Sequence, residues 1–207
     1  MKRVGQSLLL WLFVISAAVW ATVLLTYLLY PLFIHFEDLG GVAGMSAGRL
    51  YHNYLRLMAY LQVPGLSFDL PDFRWSASGA QHFADVKHLF ILAIVVFLIT
   101  VIPAVRLLAR MRRTHTRWLL VRQASVGALV PLLLGVLMAV NFNEVFITFH
   151  HLLFRNADWL FDPAVDPIIN VLPEEFFAAC FALALILFEF AMLWAIVSGR
   201  RDARLRQ

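Results

Sequence analysis

Cysteine is all but missing: Cys180 stands alone in 207 residues, so no internal disulfide can form. It lies at the start of an apolar run and reads as a small packing hydrophobe. Charge is also scarce, at 14% of residues, against about 25% in soluble domains. Metal-ligand spacings of the type H-x-x-x-H, H-E-x-x-H or C-x-x-C do not occur. The adjacent His150 and His151 do not share a helix face, so a metal site is not expected there. A haem is expected still less, because no inward-facing histidine pair lies within the apolar stretches. The stretch "SASG" is not G-x-S-x-G, so a serine nucleophile elbow is lacking, and Cys180 has no base near it in sequence. Any catalysis of this kind would proceed by proton transfer, without a covalent nucleophile.

The chain is rich instead in apolar residues, 62% of the total, with 18 Phe, 6 Trp and 5 Tyr. Such a composition belongs to an integral membrane protein. Four stretches have the roughly 20 apolar residues a transmembrane helix needs: 8–34, 89–108, 119–140 and 176–197. The first follows Lys2 and Arg3 but is too long for the core of a cleaved signal peptide, so it reads as a retained span. Pro31, Pro103 and Pro131 fall within or near the ends of spans, where kinks are tolerated.

The sign of the flanking charges gives an orientation. Lys2 and Arg3 precede span one. Arg106, Arg110, Arg112, Arg113, Arg117 and Arg122 lie between spans two and three without an acid. Arg200, Arg201, Arg204 and Arg206 follow span four against Asp202 alone. All three regions are expected in the cytoplasm, with both termini. Segments 35–88 and 141–175 hold 11 of the 13 acids and are expected outside. The net charge of +4 follows from this arrangement and does not point to nucleic acid. The fold expected is an all-α membrane protein of one polytopic domain over 1–207, with four transmembrane helices and an extracytoplasmic cap formed by the loops after spans one and three.

Six of the seven histidines, all but His115, fall on the outer side. In segment 35–88, Leu50, Tyr54, Leu57, Met58 and Leu61 recur at helical spacing until Pro64 and Gly65, which predicts an amphipathic helix. "LSFDLPDFRWSASG" follows as a loop or short hairpin, and Ser78 is the expected N-cap of the helix entering span two. That helix places His82 and Asp85 at i and i+3 on one face. Lys87 is placed to anchor to phosphate or to snorkel. In segment 141–175, Val145, Phe146, Phe149, Leu152 and Leu153 again recur at helical spacing, with His150 beside the stripe. "FDPAVDPIINVLP" carries three prolines and must be irregular, with Asp162 and Asp166 expected to stabilise turns. Pro173, Glu174 and Glu175 make a good start for the helix of span four. Glu189, inside that span, calls for an interhelical hydrogen bond or a wet crevice. On residues alone three readings remain: acid–base catalysis at the outer leaflet, a non-catalytic lipid-binding scaffold, and a metal-dependent membrane hydrolase.

"HFADVKHLF" at 82–90 and "FHHLLFRNADWLFDPAVDPIINVLPEEFF" at 149–177 resemble the two signature segments of the bacterial lipoprotein intramolecular transacylase family. The "NYLRLMAYL" helix and the four-span layout are similar too. The resemblance implies an enzyme acting on diacylated bacterial lipoproteins in the plasma membrane, moving the sn-2 acyl chain from the glycerol to the α-amine of the N-terminal cysteine. It places the two family histidines on His82 and His150 and leaves His151 on a variable position. With the acid–base chemistry of imidazole, His150 is then expected as base and His82, oriented by Asp85, as donor to the developing oxyanion or the departing glycerol oxygen. Lys87 is expected to support the site, and Asn53, Asn156 and Trp159 are candidates to position headgroup or peptide. The reaction needs no cofactor, since ester to amide is downhill.

Overall fold

The computed structural model describes residues 2–205. Arg206 and the side chain of Lys2, two of the charges used above for orientation, lie outside that description. The element order is α1 (Lys2–Phe36), α2 (Leu39–Ala43), α3 (Ala47–Gln62), α4 (Ala77–Arg113), a 3-10 turn (Arg117–Leu120), α5 (Val121–Gly127), α6 (Leu129–Val140), α7 (Phe142–Leu153), a second 3-10 turn (Pro167–Val171) and α8 (Glu174–Arg204). No strand occurs among the described residues, so the "LSFDLPDFRWSASG" segment is a loop and not a hairpin.

Four helical segments are long and apolar enough to cross a membrane: Arg3–Phe36, Ala77–Arg113, Arg117–Val140 and Glu174–Arg204. The third is interrupted at Ala128, between α5 and α6. Pro131 has no N–H to give to the carbonyl of Gly127, so the helix ladder fails there. Pro31 and Pro103 are held inside α1 and α4. Hydroxyls within these helices fold back on their own carbonyls, Thr22 to Ala18 at 2.9 Å and Thr100 to Val96 at 2.6 Å, which keeps them paired in an apolar medium.

The chain divides into two compact units. One comprises the stretch up to Thr22, Ala93–Val140 and the chain from Phe181 onward. Its core gathers Leu10, Met111, Leu120 and Met192 around Ala104, Ala124, Ala128 and Ala195. Small residues let membrane helices approach closely. A Cβ on Gly127 would lie 2.3 Å from the Trp11 ring, and one on Gly199 would lie 2.7 Å from the Arg117 carbonyl. Asp202, fully buried, accepts from Arg117 through Nε at 3.0 Å, through the terminal nitrogen at 2.6 Å and through the backbone N–H at 3.0 Å. Glu189 Oε2 is buried without a hydrogen-bond partner, so this oxygen does not make the expected interhelical bond.

The other unit comprises Val23–Leu92 and Asn141–Cys180. Here α3 is capped by Ser46, whose hydroxyl accepts from Arg49 N at 3.3 Å, and it buries Leu50, Tyr54, Leu57, Met58 and Leu61 as their spacing predicts. Tyr54 stacks on Tyr30 at 4.0 Å, and the Tyr30 hydroxyl donates to the Val171 carbonyl at 2.7 Å. Burial pushes the Tyr54 hydroxyl well above the usual tyrosine range. The loop after α3 is strapped to it by Arg49–Asp72 and Arg56–Asp69 ion pairs. Asp72 is held below the usual carboxylate range by its hydrogen bonds from Arg49 and Asn53.

Candidate functional site

Two short helical stretches and one loop of the second unit build the site. α7 starts at Asn141, whose side chain accepts from Glu144 N at 3.2 Å, and it ends where Phe154 N donates to the His150 carbonyl at 2.8 Å. His150 is buried on this helix, whereas His151 is exposed. The Nδ1 of His150 lies 2.7 Å from the Phe146 carbonyl. A carbonyl only accepts, so Nδ1 carries the proton and Nε2 holds the free lone pair. Burial lowers the pKa of His150, the charge of His151 acts the same way, and the Phe146 bond opposes them. The ring is therefore a neutral base at neutral pH.

α4 is capped by Ser76, whose hydroxyl accepts from Gly79 N at 2.8 Å. The expected cap, Ser78, instead donates to Asp158 at 2.8 Å. Asp166 is buried and accepts from both the N–H and the hydroxyl of Ser76, each at 2.7 Å, so it clamps a distant segment where a local turn was expected. Asp162 does hold its own turn, accepting from Ala164 N at 2.9 Å. A Cβ on Gly79 would lie 2.4 Å from Asp166 Oδ1, so this approach requires glycine. Further along α4, Asp85 accepts from Asn156 at 2.9 Å. Three polar ties thus fix the 156–166 loop to the start of α4.

These ties bring the two histidines together. The ring centroids of His82 and His150 lie 5.8 Å apart, and each residue is only 7% exposed. His82 packs edge-on against Phe154 at 4.9 Å and Phe161 at 5.5 Å. His150 lies between Phe146 at 4.1 Å and the indole of Trp159 at 4.8 Å. Buried polar atoms are normally paired, yet His82 Nδ1 and Trp159 Nε1 are both buried without a hydrogen-bond partner. The arrangement offers one lone pair and two unpaired polar groups inside an aromatic wall, which suits proton transfer on a polar centre with apolar flanks.

Several of the expected roles fall elsewhere. Asp85 does not orient His82 through Nδ1, which has no partner; its oxygens accept from Gln81 and Asn156, both at 2.9 Å. Asn53 has no group left for a headgroup, being fully buried. Its amide donates to the Arg49 carbonyl at 2.9 Å and Asp72 at 2.7 Å, and its oxygen accepts from Asp72 N at 3.3 Å. Lys87 donates to the Leu66 carbonyl at 2.8 Å and lies 4.1 Å over the Tyr60 ring, so its ammonium is engaged within the protein. Asn156 is exposed and tied to Asp85 and to Asp158 N. Of the proposed positioning residues, only Trp159 contacts a histidine ring. The walls Phe146, Phe154 and Phe161 and the clamp Ser76–Asp166 were not foreseen. Helical spacing marked Phe146, but nothing local marks a hydrogen bond between residues so far apart in the chain.

Comparison with known proteins places the chain in a family. The family model described as lipoprotein intramolecular transacylase Lit matches residues 4–177. An in meso structure of the membrane integral lipoprotein intramolecular transacylase Lit from Bacillus cereus superimposes with a TM-score of 0.86 at 28% identity, covering 100% of this chain and 97% of that one. Two variants of that protein, with one histidine changed to arginine or to alanine, each give a TM-score of 0.77 at 28% identity and cover 100% of this chain. They are covered over 93% and 95% of their own length, respectively. No curated protein matches.

Proposed function

Since the chain belongs to the lipoprotein intramolecular transacylase family and is a multi-pass membrane acyltransferase, we propose that it moves the sn-2 acyl chain of a diacylglyceryl-modified lipoprotein onto the α-amine of that lipoprotein's N-terminal cysteine. The product is a lyso-form lipoprotein, N-acylated and S-monoacylglycerylated. The observation that carries this reading is the pairing of His82 with His150 at 5.8 Å, with His150 Nε2 left free as a base.

A free α-amine has a pKa of roughly 7.7–8.0. Nε2 of His150 takes its proton as the nitrogen attacks the ester carbonyl. The C–N bond forms and the carbonyl electron pair moves onto oxygen. When that pair returns, the C–O bond to glycerol breaks and the proton held by His150 passes to the departing oxygen. His82 donates a hydrogen bond to the oxygen that carries charge. Nucleophile and ester belong to one molecule, so orientation supplies much of the acceleration, with effective molarities of about 10⁵ M or more. Acid–base assistance adds roughly 10²–10⁴-fold.

The distribution of arginines supports cytoplasmic termini and a site facing the outer leaflet, under a cap formed by the segments after spans one and three. Mass spectrometry of lipoprotein N-termini from cells with and without the chain tests the reading. Lyso-form lipoprotein should appear only with the chain; its absence would reject the reaction.

A further inference from the structure

We propose that Trp159 is a catalytic residue whose indole N–H donates to the carbonyl oxygen as that oxygen becomes an oxyanion. The inference rests on the transacylase reading above. Tryptophan N–H groups usually find a partner when buried, yet Trp159 Nε1 is buried with none. Its indole packs against the His150 ring at 4.8 Å, tilted by 30°. The nitrogen that His150 deprotonates and the oxygen that takes the charge are substituents of the same carbon. A base and a donor packed together at this spacing can therefore serve both at once.

The indole suits the role chemically. It only donates, and it neither gains nor loses a proton near neutral pH. It cannot give up its proton to His150 Nε2 as the amine does. It can pair only with a group holding electron density, and it pairs best with one that gains negative charge in the transition state. As the amine nitrogen bonds to carbon, the carbonyl pair moves onto oxygen and the N–H bond strengthens. When the pair returns and the glycerol oxygen leaves, the N–H is released unchanged. Trp159 also lies in the loop tied to α4 by Asp85–Asn156, Ser78–Asp158 and Ser76–Asp166, so the donor is fixed before substrate arrives.

The test uses the full-length protein in detergent micelles and a synthetic dipalmitoylglyceryl-cysteinyl peptide, with the lyso product followed by mass spectrometry. Two variants remove the N–H while keeping an aromatic face on His150. One is Trp159→Phe. The other carries the benzothiophene analogue of tryptophan at position 159, which preserves ring shape and guards against a folding defect. Both should lose roughly 100-fold or more in kcat, with KM nearly unchanged and the shape of the pH profile retained. An active parent protein whose benzothiophene variant keeps kcat within twofold would overturn the inference alone. A rise in KM at constant kcat would overturn it too, since it would make Trp159 a ground-state contact. A parent protein that yields no lyso product would remove the transacylase reading and this inference with it.

Discussion

Asp166 holds Ser76 by two hydrogen bonds of 2.7 Å, one from its backbone N–H and one from its hydroxyl, although a whole span and its return separate them in the chain. Because Ser76 is also the cap of α4, this carboxylate fixes where the helix carrying His82 begins. Asp166→Ala should destabilise the protein by about 2–4 kcal/mol, since two charge-assisted bonds are lost and Ser76 N is left to find water. Gly79→Ala should act on the same contact by pushing the new methyl against Asp166, at a cost of about 1–3 kcal/mol. Thermal unfolding in micelles measures both, and midpoints equal to the parent's would refute the clamp.

His82→Ala and His150→Ala should each lower lyso-product formation by roughly 10²-fold or more, the span of acid–base assistance. His151→Ala should stay within a few fold, because this exposed ring meets Trp159 edge-on and carries no proton in the proposed pathway. The measurement is initial rate with the same synthetic lipopeptide. A near-normal rate from either buried histidine variant would remove that residue from the chemistry.

Stability should depend on pH through His150. Burial depresses its pKa in the folded state, while the unfolded chain has the ordinary value of about 6.5. Between the two, the unfolded state binds more protons, so stability rises with pH up to about 6.5 and levels off above it. Acidifying from there should lower the melting midpoint, and His150→Phe should reduce that slope. An unchanged slope in the variant would argue against a neutral buried imidazole.

Asn53→Ala should cost about 1–3 kcal/mol of stability by leaving buried groups around Asp72 and Arg49 unpaired. In protein that remains folded, KM should be unchanged, since this amide faces its own loop. A KM effect in a variant of normal stability would restore Asn53 to the substrate.

The contrast between Asn53 and Leu57 indicates how far the sequence was legible. The face of α3 could be read because apolar spacing is local and its burial is indifferent to the partner. The four spans were legible for the same reason. His82 and His150 can be singled out in the sequence because each stands out within an apolar surrounding and because longer segments carry the family's pattern. Polar partners are not legible where one side chain could serve several. Asn53, Asp85 and Lys87 all bond to groups that no short window contains. Helix α2 escaped notice because five residues with two glycines hold too little periodicity. The break at Ala128 was foreshadowed by Pro131 but read only as a tolerable kink.

His150 leans on the Phe146 carbonyl, a neutral group, where many catalytic histidines lean on a carboxylate. In the proposed reaction an imidazolium formed here would have no directly bonded counter-anion behind it. Such a base accepts a proton poorly as a resting state and surrenders it readily. Coupling between amine deprotonation and alcohol departure would then arise from the instability of the cation itself, and the enzyme would need no group whose task is to store charge.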